Sequence, residues 1–318
     1  MLDKLRIFAG RGAAPLAREI CDHLSVDLGQ SSTLNFKNRN TFVKIDENVR
    51  DMDCFAIHTV GDNPNDDLME TLITIDALKR ASARRITVIM PYYFYARSDK
   101  KDQPRISITS RLVADLLTVA GVDRVLTMDL HSEQIMGFFS KPMDQLLALP
   151  VLCNYILGKK YQDMVVVAPD AGGAKRARSF SWALNADLAI MDKKRDGNKD
   201  QTQVFGIIGD VKGKTAILVD DEIDTGGSIV NSVNALKEAG AERVLACCTH
   251  SIFSDNAVDR LSNSLLEEVI VTNTVPIRQD YDSKRIRVLS VADLFAKAIL
   301  SIHLGTSVSA LFRKFKTF

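Results

Sequence analysis

The sequence predicts an α/β protein of two similar domains, each a mostly parallel sheet flanked by helices. Three observations carry this expectation. Short apolar runs rich in Val and Ile recur along the chain. Stretches with helical spacing lie between several of them. The strand–helix alternation occurs twice, over about 5–130 and again over about 163–290.

The strand candidates are "LRIFAG", "CFAIHTV", "RRITVIMP", "RVLTMDL", "MVVVAPD", "TAILVDD", "RVLACCTHSIF", "EVIVTNTV" and "IRVLSV". Among the helical stretches, "DDLMETLITIDALKRA" places Leu68, Leu72, Ile75 and Leu78 on one face by spacings of three and four. "TSRLVADLLTVAG" and "SIVNSVNALKEAG" read alike, and each ends on a glycine suited to a helix C-terminus. "SKPMDQLLALPVLCNYILGKKYQ" is the expected connection, so the domains are placed at 1–148 and 149–318. The final segment 300–318 is a candidate to pack back on the first domain. Residues 91–106 and 192–203 read as long loops, which in compact α/β domains usually carry function.

The chain has 318 residues, 46% hydrophobic and 25% charged, with 41 basic and 40 acidic residues for a net charge of +1. That balance suits a globular protein with a real core and gives no bulk reason to expect nucleic acid or a membrane surface as partner. No stretch of about 20 apolar residues exists to span a membrane. The five cysteines (Cys21, Cys54, Cys153, Cys247 and Cys248) form no Cys-x-x-Cys pair. They read as reduced core residues, and with no leader-like start the expected location is the cytoplasm.

The densest chemical signal is "ILVDDEIDTGGSIV". An apolar strand delivers Asp220 and Asp221 to its carboxyl end, where ligands of parallel sheets sit. Adjacent carboxylates suit sugar hydroxyls or a hard cation. Asp224, Thr225, Gly226, Gly227 and Ser228 then open a helix, with glycines that let backbone N–H groups converge on a phosphate. Together the stretch is suited to a ribose phosphate. The first turn, "AGRGAAP", has Gly10 and Gly12 but Pro15 where a dinucleotide fingerprint needs glycine, so that reading is rejected.

The chain resembles the class I ribose-phosphate pyrophosphokinase family, which makes phosphoribosyl pyrophosphate, over nearly its whole length. The resemblance rests on "LMETLITIDALKRASARRITVIMPYYFYARSDKK", "GVDRVLTMDLHSEQIMGFF", "APDAGGAKRAR", "LVDDEIDTGGS" and "SVSALF". It implies two phosphoribosyltransferase-like domains, ATP and ribose 5-phosphate as substrates, and Mg²⁺ as cofactor. It further implies that the stretch 220–228 holds ribose 5-phosphate, and that His131 and Asp170 help hold the magnesium, with His131 also at the nucleotide and among the catalytic residues. Arg97, Ser98 and Asp99 fall at nucleotide-contacting positions, Ser98 standing where the family usually has Gln. Phe36, Asn38 and Asn40 match the adenine loop, but Asn40 replaces Glu, which removes a charge and points to weaker or less selective ATP binding. Lys193 and Arg195 match a catalytic Lys-x-Arg pair, where cations stabilise charge developing during diphosphoryl transfer. Arg50, Ser307, Ser309 and Phe312 match a regulatory site for phosphate and ADP between subunits of a homo-oligomer, a hexamer by resemblance. A non-catalytic regulatory subunit is the rival reading, and the retained loops at 193–195 and 220–228 count against it.

Overall fold

The computed structural model describes residues 2–195, 202–276 and 284–312. The chain divides into two compact units. The first runs to Leu147 and takes in two later segments starting at Thr274 and Val291; the second starts at Ala148.

The first unit begins with β1 (Leu5–Ala9), α1 (Ala14–Leu24) and a hairpin of β2 (Ser31–Asn35) and β3 (Thr41–Ile45). It continues through β4 (Asp53–Ile57), α2 (Pro64–Arg80), β5 (Arg85–Met90), α3 (Thr109–Ala120), β6 (Arg124–Met128) and β7 (Met143–Leu146). Its five-stranded sheet has the order β1-β4-β5-β6-β7, and every pairing is parallel. The β4 strand is buried at all five positions and β5 at five of six, so these strands read as continuous apolar runs rather than alternating ones. The helices cap as their sequences indicate: α2 starts with Pro64 in its first turn, and α3 ends on Gly121 at φ 119°.

The second unit contains α4 (Leu149–Gly158), β8 (Met164–Ala168), α5 (Ala174–Leu184), β9 (Asp187–Arg195) and β10 (Thr202–Ile208). Then come β11 (Thr215–Ile223), α6 (Gly227–Glu238), β12 (Arg243–Ser251), α7 (Ala257–Ser262), β13 (Glu268–Thr272) and β14 (Ile286–Leu289). The seven-stranded sheet runs β10-β9-β8-β11-β12-β13-β14, parallel except for the antiparallel β9–β10 edge. Val165, Val167, Leu218, Ala246 and Val269 of the sheet pack with Val233 and Leu236 of α6 and Leu261 of α7 in one buried cluster. Each such large side chain contributes about 1.5–3 kcal/mol by leaving water.

The last helix, α8 (Ala292–Leu304), belongs to the first unit and packs on α1. Its anchor is polar. Asp53 is fully buried at the start of β4. It accepts from Arg85 Nε at 2.8 Å and again from Nη2, and lies 2.7 Å from His303 Nδ1. Arg85 Nη2 also donates to the Ile302 carbonyl at 2.9 Å. Removing one member strands a buried charge, which costs about 3–5 kcal/mol.

One loop expectation changes at its ends, residues 196–201 lying outside the described residues. Composition marked 192–203 as structureless, yet Asp192–Arg195 extends β9 and Thr202–Gln203 opens β10, with Lys193 opposite Val204 and Arg195 opposite Thr202. Antiparallel pairing satisfies the backbone there, whatever the charge of the side chains. The connecting segment likewise supplies β7, which pairs with β6 through Met143–Leu146. The hairpin β2–β3 was also unmarked, because its half-exposed residues lack an apolar run.

Candidate active site

In the second unit the site residues gather at the carboxyl ends of β8 and β11. Leu218 and Val219 are buried, and Asp220 and Asp221 follow them within β11, which runs on to the buried Ile223. Asp221 is the more deeply set, its side chain 7% exposed against 28% for Asp220. Asp220 Oδ1 accepts the Asp221 backbone N–H at 2.9 Å. Arg176, on the first turn of α5, reaches both carboxylates, donating to Asp221 Oδ1 at 3.0 Å and lying 3.7 Å from Asp220 Oδ1. Two adjacent acids outweigh one guanidinium. Loss of solvation first, and the charge of Asp221 second, raise the Asp220 carboxyl well above its ordinary value, while Arg176 pulls the other way.

The chain then turns through Gly226, whose φ of 75° favours glycine, into α6. A Cβ on Gly226 would meet Leu261 Cγ at 3.3 Å, whereas one on Gly227 would meet only Thr225 Oγ1 at 3.9 Å. Thr225 and Ser228 are exposed beside this open space. The turn thus joins a helix N-terminus, small residues and hydroxyls, the elements that hold a phosphate.

Asp170 follows β8 and is exposed; its Oδ1 accepts the Gly173 N–H at 3.0 Å, which shapes the turn into α5. Lys193 and Arg195 lie on β9, but their side chains fall outside the described residues.

In the first unit, Phe36, Asn38 and Asn40 occupy the tip of the β2–β3 hairpin. Phe36 is 52% exposed and its ring centroid lies 5.8 Å from that of Phe42. Asn38 Oδ1 accepts the Asn40 N–H at 3.1 Å, and the Asn40 carbonyl accepts the Phe36 N–H at 2.9 Å. Arg39, Asn40 and Thr41 of this tip face Met69 and Ile73 of α2 across a cavity of about 310 Å³.

The loop after β5 carries Arg97, Ser98 and Asp99. Its turn is fixed by Tyr95 at φ 57°, the Ser98 N–H donating to the Tyr95 carbonyl at 3.0 Å, and the Ser98 carbonyl accepting from Ser110 N–H at 3.1 Å. Asp99 Oδ1 is buried without a hydrogen-bond partner. His131 is exposed just beyond β6, after Asp129 at φ 37°. Arg50 is exposed, with its N–H donated to Asn48 Oδ1 at 3.0 Å. The hydroxyls of Ser307 and Ser309 lie 3.0 Å apart, and Phe312 is buried.

No group of three or more His, Cys, Asp or Glu side chains among the described residues is arranged to hold a metal ion. Asp170 instead presents a single exposed carboxylate. That donor set fits a magnesium ion held largely by water and phosphate oxygens, which needs only one or two carboxylates from protein.

Sequence reasoning missed Arg176 and Arg260. Arg176 had a usable signal, since "APDAGGAKRAR" puts it on a helix opening at the same sheet edge as Asp170. Arg260, whose Nη1 donates to the Thr225 carbonyl, had none, because 35 residues separate the partners.

Mostly parallel sheets flanked by helices, with an open glycine turn following paired acids at the carboxyl edge of one of them, define an α/β protein of the phosphoribosyl fold type. Comparison with known proteins agrees and is more specific. Residues 5–121 match the family model described as the N-terminal domain of ribose phosphate pyrophosphokinase, and residues 198–313 match the phosphoribosyl synthetase-associated domain. The ribose-phosphate pyrophosphokinase of Nostoc sp. is 49% identical over 98% of this chain and 94% of its own length. That of Clostridium acetobutylicum is 49% identical over 98% of both. The crystal structure of phosphoribosylpyrophosphate synthetase from Mycobacterium smegmatis superposes with a TM-score of 0.90 at 44% identity, covering 95% of this chain and 100% of that one. The chain belongs to the ribose-phosphate pyrophosphokinase family of diphosphoryl-transferring enzymes.

Proposed function

We propose that the protein transfers the β,γ-diphosphoryl group of MgATP to the C1 hydroxyl of ribose 5-phosphate, yielding phosphoribosyl pyrophosphate and AMP. The observation that carries this reading is the open turn 224–228 behind Asp220 and Asp221. Its N–H groups and hydroxyls receive the 5-phosphate. The two acids, sharing the charge of Arg176, accept hydrogen bonds from the ribose hydroxyls. This seats the sugar with C1 directed away from the turn.

The C1 oxygen attacks the β-phosphorus of ATP. The new C1–O–P bond forms as the bond from that phosphorus to the α–β bridging oxygen breaks, and the hydroxyl proton leaves to solvent. Bound magnesium supplies neutralisation of phosphate charge, and Asp170 and His131 are the residues that would hold it. Lys193 and Arg195 stabilise charge on the transferring and leaving oxygens. Phe36, with its exposed ring, offers a stacking surface for adenine, and Asn38, Asn40, Arg97, Ser98 and Asp99 complete the nucleotide contacts.

The active form is a homo-oligomer in the cytoplasm, with Arg50, Ser307, Ser309 and Phe312 at a phosphate- and ADP-responsive site. An exposed apolar stripe on α3 supports assembly: Leu112, Leu116 and Val119 all face outward, Val119 with 80% of its surface exposed. A non-catalytic regulatory subunit has no observation in its favour.

The test is to incubate the purified chain with MgATP and ribose 5-phosphate, with and without inorganic phosphate, and to quantify AMP and phosphoribosyl pyrophosphate. Matched formation of both is expected. AMP without phosphoribosyl pyrophosphate, or no product, would overturn the reading.

A further inference from the structure

The turn 224–228 does not hold its shape alone. Behind it lies α7, and three of its residues touch or shape the turn. Ala257 and Leu261 are buried, and a Cβ on Gly226 would stand 3.3 Å from Leu261 Cγ and 3.6 Å from the Ala257 carbonyl oxygen. The third, Arg260, donates from Nη1 to the carbonyl of Thr225. Its Nη2 has a weaker contact, 3.4 Å from Asp255 Oδ2, on a carboxylate that is 64% exposed.

The consequence follows from peptide geometry. A trans peptide is planar, with its C=O and N–H pointing in opposite directions. Holding the Thr225 carbonyl toward α7 therefore aims the Gly226 N–H away from α7, toward the open side of the turn. Gly226, at φ 75°, then lets the next N–H groups follow the same concave course. Without the guanidinium, that peptide is free to flip and present a carbonyl oxygen where an anion must sit. The charge adds to the effect, because a cation behind the peptide polarises its N–H and favours an anion in front.

We infer that Arg260 is a positioning residue for the 5-phosphate of the pentose substrate, acting through the Thr225–Gly226 peptide. The inference rests on the proposed assignment of this turn to ribose 5-phosphate. It places one determinant of sugar-phosphate affinity on α7, behind the turn rather than in it.

The test is steady-state kinetics of the full-length chain with Arg260→Met and Arg260→Lys, varying ribose 5-phosphate and MgATP separately. Arg260→Met keeps the apolar stem and removes the donor. It is expected to raise KM for ribose 5-phosphate by about 10-fold or more, the size of one charge-assisted hydrogen bond. Values of kcat and of KM for ATP should stay within about threefold, and hydrogen exchange should quicken in peptides spanning 222–230. Arg260→Lys restores a donor without the fork geometry and should recover part of the loss; it carries the same comparison if the Met variant does not fold. An unchanged KM for ribose 5-phosphate overturns the inference, as does a joint fall in kcat, both affinities and Tm. If the unaltered protein neither binds nor uses ribose 5-phosphate, the functional reading itself fails and takes this inference with it.

Discussion

Two turns of the same design meet different ends in this molecule. After β1, Gly10–Gly12 leads into α1; after β11, Gly226–Gly227 leads into α6. Both lie at the carboxyl end of a parallel strand, where sheets of this kind bind ligands. The first turn is filled from within. A Cβ on Gly10 would lie 2.4 Å from His58 Nδ1, and Arg11 binds the buried Glu70 through its backbone N–H at 3.0 Å and its Nε at 2.8 Å. Burial pushes the His58 imidazole down to about 4, so it packs there as a neutral ring. At the second turn nothing within 4 Å of a Gly227 Cβ is nearer than Thr225 Oγ1. The first turn is closed at Gly10, whereas the second packs Gly226 on Leu261 but leaves the Gly227 side open, and the paired acids stand beside that open side.

The strongest test concerns the chemistry served by the open turn. Lys193→Ala is expected to lower kcat by about 10³-fold while changing KM for ATP little, since a cation aimed at developing charge acts mainly in the transition state. A kcat near that of the unaltered protein removes Lys193 from the mechanism. Asp220→Asn is next. It should raise KM for ribose 5-phosphate by about 10–100-fold, the cost of losing a carboxyl oxygen that the sugar hydroxyls use. Damage confined to ATP affinity would mean that the open turn is not the sugar site.

The closed turn gives the contrasting result. Gly10→Ala forces a methyl group into the His58 ring and should cost about 1–3 kcal/mol of stability by denaturant titration. It should leave KM for ribose 5-phosphate unchanged, and Gly10→Ala with His58→Ala should recover part of the loss. A large rise in that KM would show that both turns serve the substrate and would break the comparison.

The smallest effect is in stability against pH. The folded Asp220 carboxyl is raised, so the folded state binds its proton more tightly than the unfolded chain does. That contribution is fully present below the unfolded value of about 4 and is lost as pH rises through the raised folded one. Asp220→Asn removes the titration. Its Tm relative to the unaltered protein should therefore climb by a few degrees between about pH 5 and pH 9. A flat difference would mean that Asp220 is not held above its ordinary value.

Much of the fold was legible because buried parallel strands announce themselves as apolar runs. All nine marked runs contain strands, and the helices at 64–80, 109–120 and 227–238 lie on the marked spacings. Of the strands that went unmarked, β9 and β10 do contain apolar residues, over 188–191 and 204–208, next to the charged stretch 192–203, and the others are weak in composition. The β2–β3 hairpin is half-exposed, β7 has only one fully buried residue, and the end of β9 carries basic side chains. Their pairing is decided by backbone hydrogen bonds to neighbours, which leave little trace in composition.

The acids and glycines of 220–228, the basic pair at 193 and 195, and the order of strand and helix were set by the sequence alone. They are local: strand, turn and helix lie within one short stretch, and residue type dictates conformation and charge there. What occupies the space around each turn was decided only by the tertiary structure. His58 comes to Gly10 from 48 residues away, Arg176 to Asp221 across 45, and Arg260 to Thr225 across 35. Such contacts depend on which strands are neighbours and on which helix covers them. They are properties of packing, which has no period in the sequence.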